Sequence, residues 1–256
     1  MTQSRTPHGT ALPLTESQIA QARADLAATG AAVLSGFVTP EATQAMLAEV
    51  EPVLDRAFSK PKIHNAYLVA DDPALPEDHP RNAKVTTTSA TLAYDLIPEG
   101  RLRQLYLSTD LRSALARVLG FDELYPYADP LAGLNVLTYG DGAQIGWHFD
   151  NANFVVTLML RPAETGGDYQ YLPFSRSDTD EGYDHVARML SGETDGLLSL
   201  HQGAGDLVIF RGRHTLHRVT PVHGRNPRVI AVFSYDPEPG KLLHEDTRRK
   251  FYGRAA

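Results

Sequence analysis

Residues 146–154 read GWHFDNANF, with His148 and Asp150 two positions apart and Trp147 and Phe149 interleaved between them. In extended backbone, side chains at i and i+2 share one side of the chain. The imidazole and the carboxylate therefore converge, while Trp147 and Phe149 face the other way. Such a pair serves a metal clamp, an acid–base couple, or an ordinary hydrogen bond on a surface strand. The pattern alone does not choose among them. The chain has ten histidines, and a second His-x-Asp stands at His244 and Asp246.

Further donors lie downstream, in GDLVIFRGRHTLHRVTPVHGRNPRVIAVFSYD, residues 205–236. His217 opens the extended run HRVTPV, 67 residues after Asp150, and Arg228 opens the apolar run RVIAVFSY. Two imidazoles and one carboxylate on one face of a metal form the facial triad of non-haem Fe(II) oxygenases, with three positions left open. Such an oxygenase needs an electron-donating cosubstrate. An arginine at the mouth of a strand holds a dicarboxylate through two parallel bonds, which a lysine cannot. His214 competes with His217, and Arg225 with Arg228. Arg225 sits in HGRNP, which reads as a turn with a solvent-exposed side chain. His244 and Asp246 fall in the charged run LLHEDTRRK and read as a solvated face.

Distant donors meet only if the elements carrying them do. TESQIAQARADLAATG (15–30) has helical apolar spacing and a glycine stop, AAVLSGF (31–37) reads as a buried strand, and TPEATQAMLAEVEPVLDRAF (39–58) opens with Thr39 as N-cap and Pro40 in the first turn. Residues 59–90, rich in Pro, Asp, His and Thr, show no period and read as a lid or binding loop. Two short helices are expected near 98–107 and 109–119. From about residue 133 the rhythm becomes that of short β-branched and aromatic runs, LNVLTY, FVVTLML, DYQYLP, LLSL, DLVIF and RVIAVFSY, separated by turn residues. No repeat and no regular strand–helix alternation is present. The expectation is an α+β chain with a β-sandwich or jelly-roll core buttressed by N-terminal helices. It is read as one domain over 1–256: a flexible tail (1–14), a helical buttress with the long loop (15–130), a β-core (131–240) and a C-terminal tail (241–256).

Composition closes other routes. At 256 residues, 42% hydrophobic and 21% charged, the chain is of ordinary globular type. Its formal charge of −7 argues against a polyanion-binding surface, so no nucleic-acid partner is expected. The lack of cysteine removes thiol nucleophiles, thiolate metal sites and disulfides, leaving oxygen and imidazole ligands. The N-terminus has no apolar core of a signal peptide, and no apolar run reaches the roughly 18 residues of a membrane span. A cytoplasmic protein without a membrane partner, monomer or homodimer, is expected.

HFD, then GDLVIF and HRVTPV, then Arg228 ahead of a strand ending in YD, resemble the Fe(II)/2-oxoglutarate-dependent oxygenase superfamily over about residues 133–236. The resemblance implies a distorted double-stranded β-helix of the jelly-roll or cupin-like kind. It implies His148, Asp150 and His217 as iron ligands, with His217 rather than His214 because RVTPV follows it. Arg228 would hold the distal carboxylate of 2-oxoglutarate, with Tyr139 and Thr157 as further cosubstrate contacts. Chain length and the helical first half are similar to the freestanding enzymes acting on free amino acids, a group of lysine-type halogenases and hydroxylases. The halogenases have glycine in place of the ligating carboxylate; Asp150 is retained here, which points to hydroxylation. The run AQIGW before His148 lacks the polar contacts of the lysine enzymes.

The expected reaction uses Fe(II), 2-oxoglutarate and O2 to hydroxylate an unactivated C–H bond of a small polar substrate, with a free amino acid as the leading class. Arg81, Asn151, Trp147, Ser234 and Tyr252 are the candidate substrate contacts. Arg81 and His64 lie in the polar loop, and Ser234 shares the strand face of Arg228. Tyr252 belongs to a tail able to fold over the site, whereas Trp147 also has the alternative of core packing. The open alternatives are a halogenating or desaturating relative on the same fold, a cupin-like metalloenzyme without 2-oxoglutarate, and a non-catalytic ligand-binding sandwich.

Overall fold

The computed structural model describes residues 14–255; the expected tail at 1–14 falls almost wholly outside them. Helix α1 (Glu16–Thr29) starts where the Thr15 side chain accepts from the Gln18 amide and the Gln18 side chain accepts from the Thr15 amide. It stops at Gly30, whose φ of 77° is left-handed and suits glycine. Strand β1 (Ala31–Leu34) follows. Helix α2 (Pro40–Val50) begins at the Thr39 cap but is shorter than the expected 39–58. Pro52 lacks an amide hydrogen, and the chain tightens into a 3-10 turn over Glu51–Arg56.

The aperiodic loop is partly a hairpin, β2 (Lys62–His64) with β3 (Val85–Thr87), whose three-residue strands are too short to display a period. Side-chain amides order the span between them: Asn82 Nδ2 donates to the carbonyls of Asp72, Leu75 and Pro76. Then come β4 (Ala90–Leu92), α3 (Arg101–Leu107), α4 (Thr109–Leu119), β5 (Tyr125–Pro126), β6 (Leu134–Tyr139), β7 (Ile145–His148), β8 (Val155–Arg161), β9 (Thr165–Gly166) and β10 (Tyr169–Leu172). The chain continues through α5 (Tyr183–Leu190), β11 (Leu198–Leu200), β12 (Leu207–Phe210), β13 (Leu216–Val219), β14 (Val222–His223), β15 (Arg228–Phe233), β16 (Tyr235–Asp236) and α6 (Glu245–Tyr252). Helices α5 and α6 depart from the expectation that helices gather ahead of the strands.

Two antiparallel sheets face each other. The larger runs β1-β12-β8-β15-β6-β4 and the smaller β11-β10-β13-β7. Alternation along the strands sorts the side chains into layers. In β8, Val156, Leu158 and Leu160 join the core shared with α1–α4, while Val155, Thr157 and Met159 point between the sheets. Outside the smaller sheet, Trp147, Phe149, Leu172 and Leu216 pack against Val186 and Met189 of α5. This is the jelly-roll arrangement expected from the strand rhythm, a double-stranded β-helix with helices on its larger sheet. Among the described residues, no helix is long and apolar enough to cross a membrane.

Candidate active site

Between the sheets lies a cavity of about 540 Å³, and the strand pairing brings His148 and His217 to its wall. They are direct partners in the β7–β13 ladder, with ring centroids 4.1 Å apart. The register slips beside them, so that Val219 pairs with Ile145 rather than two positions from His148. This irregularity lets both Ile145 and His148 line the cavity although they are three positions apart. Beyond β7 the chain stays extended, and Asp150 returns to the side of His148, as the i, i+2 spacing requires. Its Oδ1 lies 3.6 Å from His148 Nε2 and its Oδ2 3.6 Å from His217 Nε2.

Both imidazoles are oriented by backbone. His148 Nδ1 is 2.9 Å from the Gly146 carbonyl and His217 Nδ1 is 2.9 Å from that of Thr215. A carbonyl only accepts, so Nδ1 carries a proton and Nε2 is the nitrogen that each ring turns toward Asp150. Burial, together with the neighbouring His148, pushes His217 down to about 4, which keeps it neutral at neutral pH. Burial opposes the charge of Asp150, but His217 and His148 beside it and Arg176 behind it outweigh that cost, and the carboxyl is held below its ordinary value. The carboxylate has room only because residue 212 is glycine: a Cβ there would lie 1.8 Å from Asp150 Oδ2. The Asp150 amide also donates to the Gly212 carbonyl at 3.0 Å. Gly212, in the run FRGR, carries no sequence signal of this role.

Across the cavity Arg228 is 2% exposed and pairs with Tyr139 in the β15–β6 ladder, its guanidinium carbon 4.8 Å from the Tyr139 ring centroid. Thr157 lines the same wall and accepts from Gln202 Nε2 at 3.3 Å. Three buried side-chain atoms on this cavity have no hydrogen-bond partner among the described residues: Asp150 Oδ2, Arg228 Nη1 and Tyr169 Oη. Two imidazole nitrogens with one carboxylate oxygen suit a first-row divalent metal, and the free guanidinium nitrogen suits an oxyanion. Tyr169, beside the His217 ring at 5.3 Å, was not singled out by sequence. The inward alternation of DYQYLP was the available signal.

The other expected contacts divide. Asn151, Ser234 and Tyr252 line the cavity, and Tyr252 Oη donates to Asn135 Oδ1 at 2.9 Å. Ser234 follows Arg228, Ile230 and Val232 on one strand face, all of them lining the cavity. Trp147 and Arg81 do not line it, which corrects their expected role. Trp147 is buried on the outer face of the smaller sheet beneath Arg218, whose guanidinium carbon is 4.6 Å from the indole; Trp147 and Phe149, alternating with His148 and Asp150, face away from the cavity. Arg81 Nη1 is spent on the Ala70 carbonyl within the loop. His64 does reach the cavity, but both ring nitrogens are engaged, with the Asn65 carbonyl and with Thr87 Oγ1. His214 pairs with Asp178 rather than with the triad, and Arg225 stands exposed at its turn.

Solved structures share this architecture at low sequence identity. A 2OG-Fe(II) oxygenase family oxidoreductase from Burkholderia pseudomallei matches with a TM-score of 0.55 and 15% identity over 92% of this chain and 98% of its own. The epimerase SnoN, solved with Fe3+, alpha ketoglutarate and nogalamycin RO, matches with a TM-score of 0.60 and 14% identity over 86% and 84%. HygX from Streptomyces hygroscopicus, solved with nickel, 2-oxoglutarate and hygromycin B, gives 0.58 and 14% over 90% of each chain. These likenesses establish the fold. No curated protein matches the sequence. The family model for Halogenase D, however, spans residues 14–250, from the first helix through the triad, Arg228 and most of α6. With a match of that extent over a jelly roll that gathers two histidines and an aspartate at one cavity, the chain belongs to the Halogenase D family.

Proposed function

We propose that this protein is an Fe(II)- and 2-oxoglutarate-dependent dioxygenase that hydroxylates an unactivated C–H bond of a small polar substrate, a free amino acid being the leading class. The observation that carries the reading is the trio of buried atoms on one cavity without a partner among the described residues, Asp150 Oδ2, Arg228 Nη1 and Tyr169 Oη. Each such atom costs about 1–3 kcal/mol unless a ligand satisfies it. His148, Asp150 and His217 would hold the iron, and Arg228, with Tyr139 and Thr157 beside it, the distal carboxylate of 2-oxoglutarate. Once bound, iron and 2-oxoglutarate supply the oxidising power of the reaction. The chain supplies position and shelter: the two backbone-held imidazoles fix the centre, Arg228 fixes the cosubstrate's direction, and the apolar strand faces exclude water. A cupin-like enzyme without a cosubstrate would give the buried charge of Arg228 nothing to bind.

Asp150 selects the outcome. A halide would need a coordination position beside the two imidazoles; with iron bound, the Asp150 carboxylate would fill it, and Gly212 leaves the carboxylate its space. The protein should therefore yield only oxygenated or desaturated product even in excess chloride; a chlorinated product would mean that Asp150 does not ligate the metal. The primary test is optical. Anaerobic Fe(II) with 2-oxoglutarate should give a weak visible charge-transfer band in the native protein and none in His217→Ala, and absence of the band from the native protein would end the reading. A mass-spectrometric screen of free amino acids for the gain of one oxygen then identifies the substrate.

A further inference from the structure

Charge on the cavity wall is unbalanced. Lys62, Arg213, Arg228, Lys241 and Lys250 line it, against the carboxylates of Asp150 and Asp236. Three of these cations are accounted for. Arg228 belongs to the cosubstrate in the reading above, Lys241 lies 3.6 Å from Asp236, and Arg213 lies 3.7 Å from Asp178. Among the described residues, no carboxylate pairs with Lys62 or Lys250. They come from elements far apart in sequence, β2 in the long loop and α6 at the C-terminus, and both face the same cavity.

Lys62 is set into the wall, and Lys250, exposed at its rim, is placed there by its helix. Lys62 is partly buried, and its Nζ lies 5.3 Å from the Phe251 ring centroid; that face attracts a cation but does not neutralise it. Helix α6, which carries Lys250, is pinned by Arg248 Nε on the buried Asp129 at 2.8 Å, by Tyr252 on Asn135, and by Arg254 on Asp95 at 2.6 Å. Two like charges held beside one cavity repel unless an anion arrives. Burial and then the charge of Lys250 lower Lys62 to about 8, in keeping with that repulsion.

We propose that Lys62 and Lys250 form an anion subsite for the substrate, so that the compound oxidised here carries net negative charge and an acidic group, carboxylate or phosphate ester, away from the reacting carbon. This rests on the oxygenase reading of the cavity and narrows its substrate class from free amino acids in general to acidic or phosphorylated ones. A basic substrate is disfavoured twice: it meets uncompensated cations, and the cavity's carboxylates are taken by the metal and by Lys241.

Lysine accessibility tests this without turnover. The intact protein, with nickel(II) and 2-oxoglutarate present throughout so that the cosubstrate position is filled, is acetylated by trace acetic anhydride near pH 8, where Lys62 titrates, and each lysine is read by mass spectrometry. L-Glutamate or O-phospho-L-serine at saturating concentration should slow labelling of Lys62 and Lys250 by about threefold or more. L-Lysine and L-leucine should not, and Lys60 and Lys84, outside the cavity, should label at one rate throughout. Protection by either anionic probe supports the subsite and tells carboxylate from phosphate. Equal labelling under all four additions, or protection by L-lysine or L-leucine equal to that by the anions, overturns it. The calorimetric affinity of the protecting probe should also fall about tenfold in Lys62→Met, the loss expected of one charge-assisted contact; an unchanged affinity likewise overturns it. The iron–2-oxoglutarate band does not depend on these lysines, so a failed anion subsite and a failed oxygenase reading are told apart.

Discussion

Gly212 shows how much of this site is made by an absent side chain. A methyl group at that position would sit 1.8 Å from Asp150 Oδ2, so Gly212→Ala must move the carboxylate. Its φ is not in the left-handed region, and the backbone itself accepts alanine. The variant should keep its far-UV circular dichroism while its calorimetric nickel affinity drops about 10- to 100-fold, the range seen when a ligand loses its support. Unchanged affinity would mean that the carboxylate is not a ligand. Arg228 gives a second contrast at this scale. Losing a buried charge-assisted pair costs about 2–5 kcal/mol, more than tenfold in 2-oxoglutarate affinity. Arg228→Ala should show that loss with iron affinity nearly intact, and Arg225→Ala, at an exposed turn, should show neither. The reverse pattern would reassign the anchor.

At the scale of elements, α6 is the piece whose docking closes one wall of the cavity, and Asp129 is its clasp. The carboxylate accepts from the amides of Leu131, Ala132 and Leu243 and from Arg248 Nε, inside the fold. Burial pushes its pKa up, but the Leu243 and Leu131 amides and Arg248 outweigh burial and hold it below the ordinary 3.8. A depressed carboxylate contributes stability that is complete above its ordinary pKa and is lost as pH falls through the lower folded value. Helix α6 should thus stay docked at neutral pH and loosen only below about pH 4. Asp129→Asn should mimic the acid form at neutral pH, costing up to about 3 kcal/mol because Arg248 loses its charge partner. Hydrogen exchange over Glu245–Tyr252 checks both: protection in α6 should fall in the variant, while that in β8 and β15 holds. Sequence reading placed Tyr252 in a tail near the site but missed the helix, because EDTRRKFY is polar nearly all round. Helix α5 was missed for a related reason: its eight residues bury only Val186 and Met189.

For the molecule as a whole, we propose one domain, since β1 at the N-terminal end pairs with β12 near the C-terminal end inside the larger sheet. It should unfold in a single transition, coincident by circular dichroism and fluorescence. Nickel at about a hundred times its Kd should add about 2.7 kcal/mol, or roughly 5–10 °C in Tm for a chain of this size. Two transitions, of which only one responds to nickel, would divide the domain. The sequence alone singled out His148, Asp150, His217 and Arg228, which the fold gathers at one cavity, because HFD, HRVTPV and Arg228 are local patterns and period two already decides that His148 and Asp150 converge while Trp147 turns away. It determined the strand rhythm too, since β6, β8, β12 and β15 are short β-branched or aromatic runs, legible residue by residue. Tertiary structure decided what no local pattern encodes. The β7–β13 register set His148 opposite His217, and the close approach of FRGR to Asp150 made room for a carboxylate. Loop packing took Arg81 away from the cavity, and the docking of α6 brought Lys250 to the same wall as Lys62. Except within the loop, those relations join residues from about 60 to nearly 190 positions apart, and sequence spacing carries no distance information once the chain has folded back on itself.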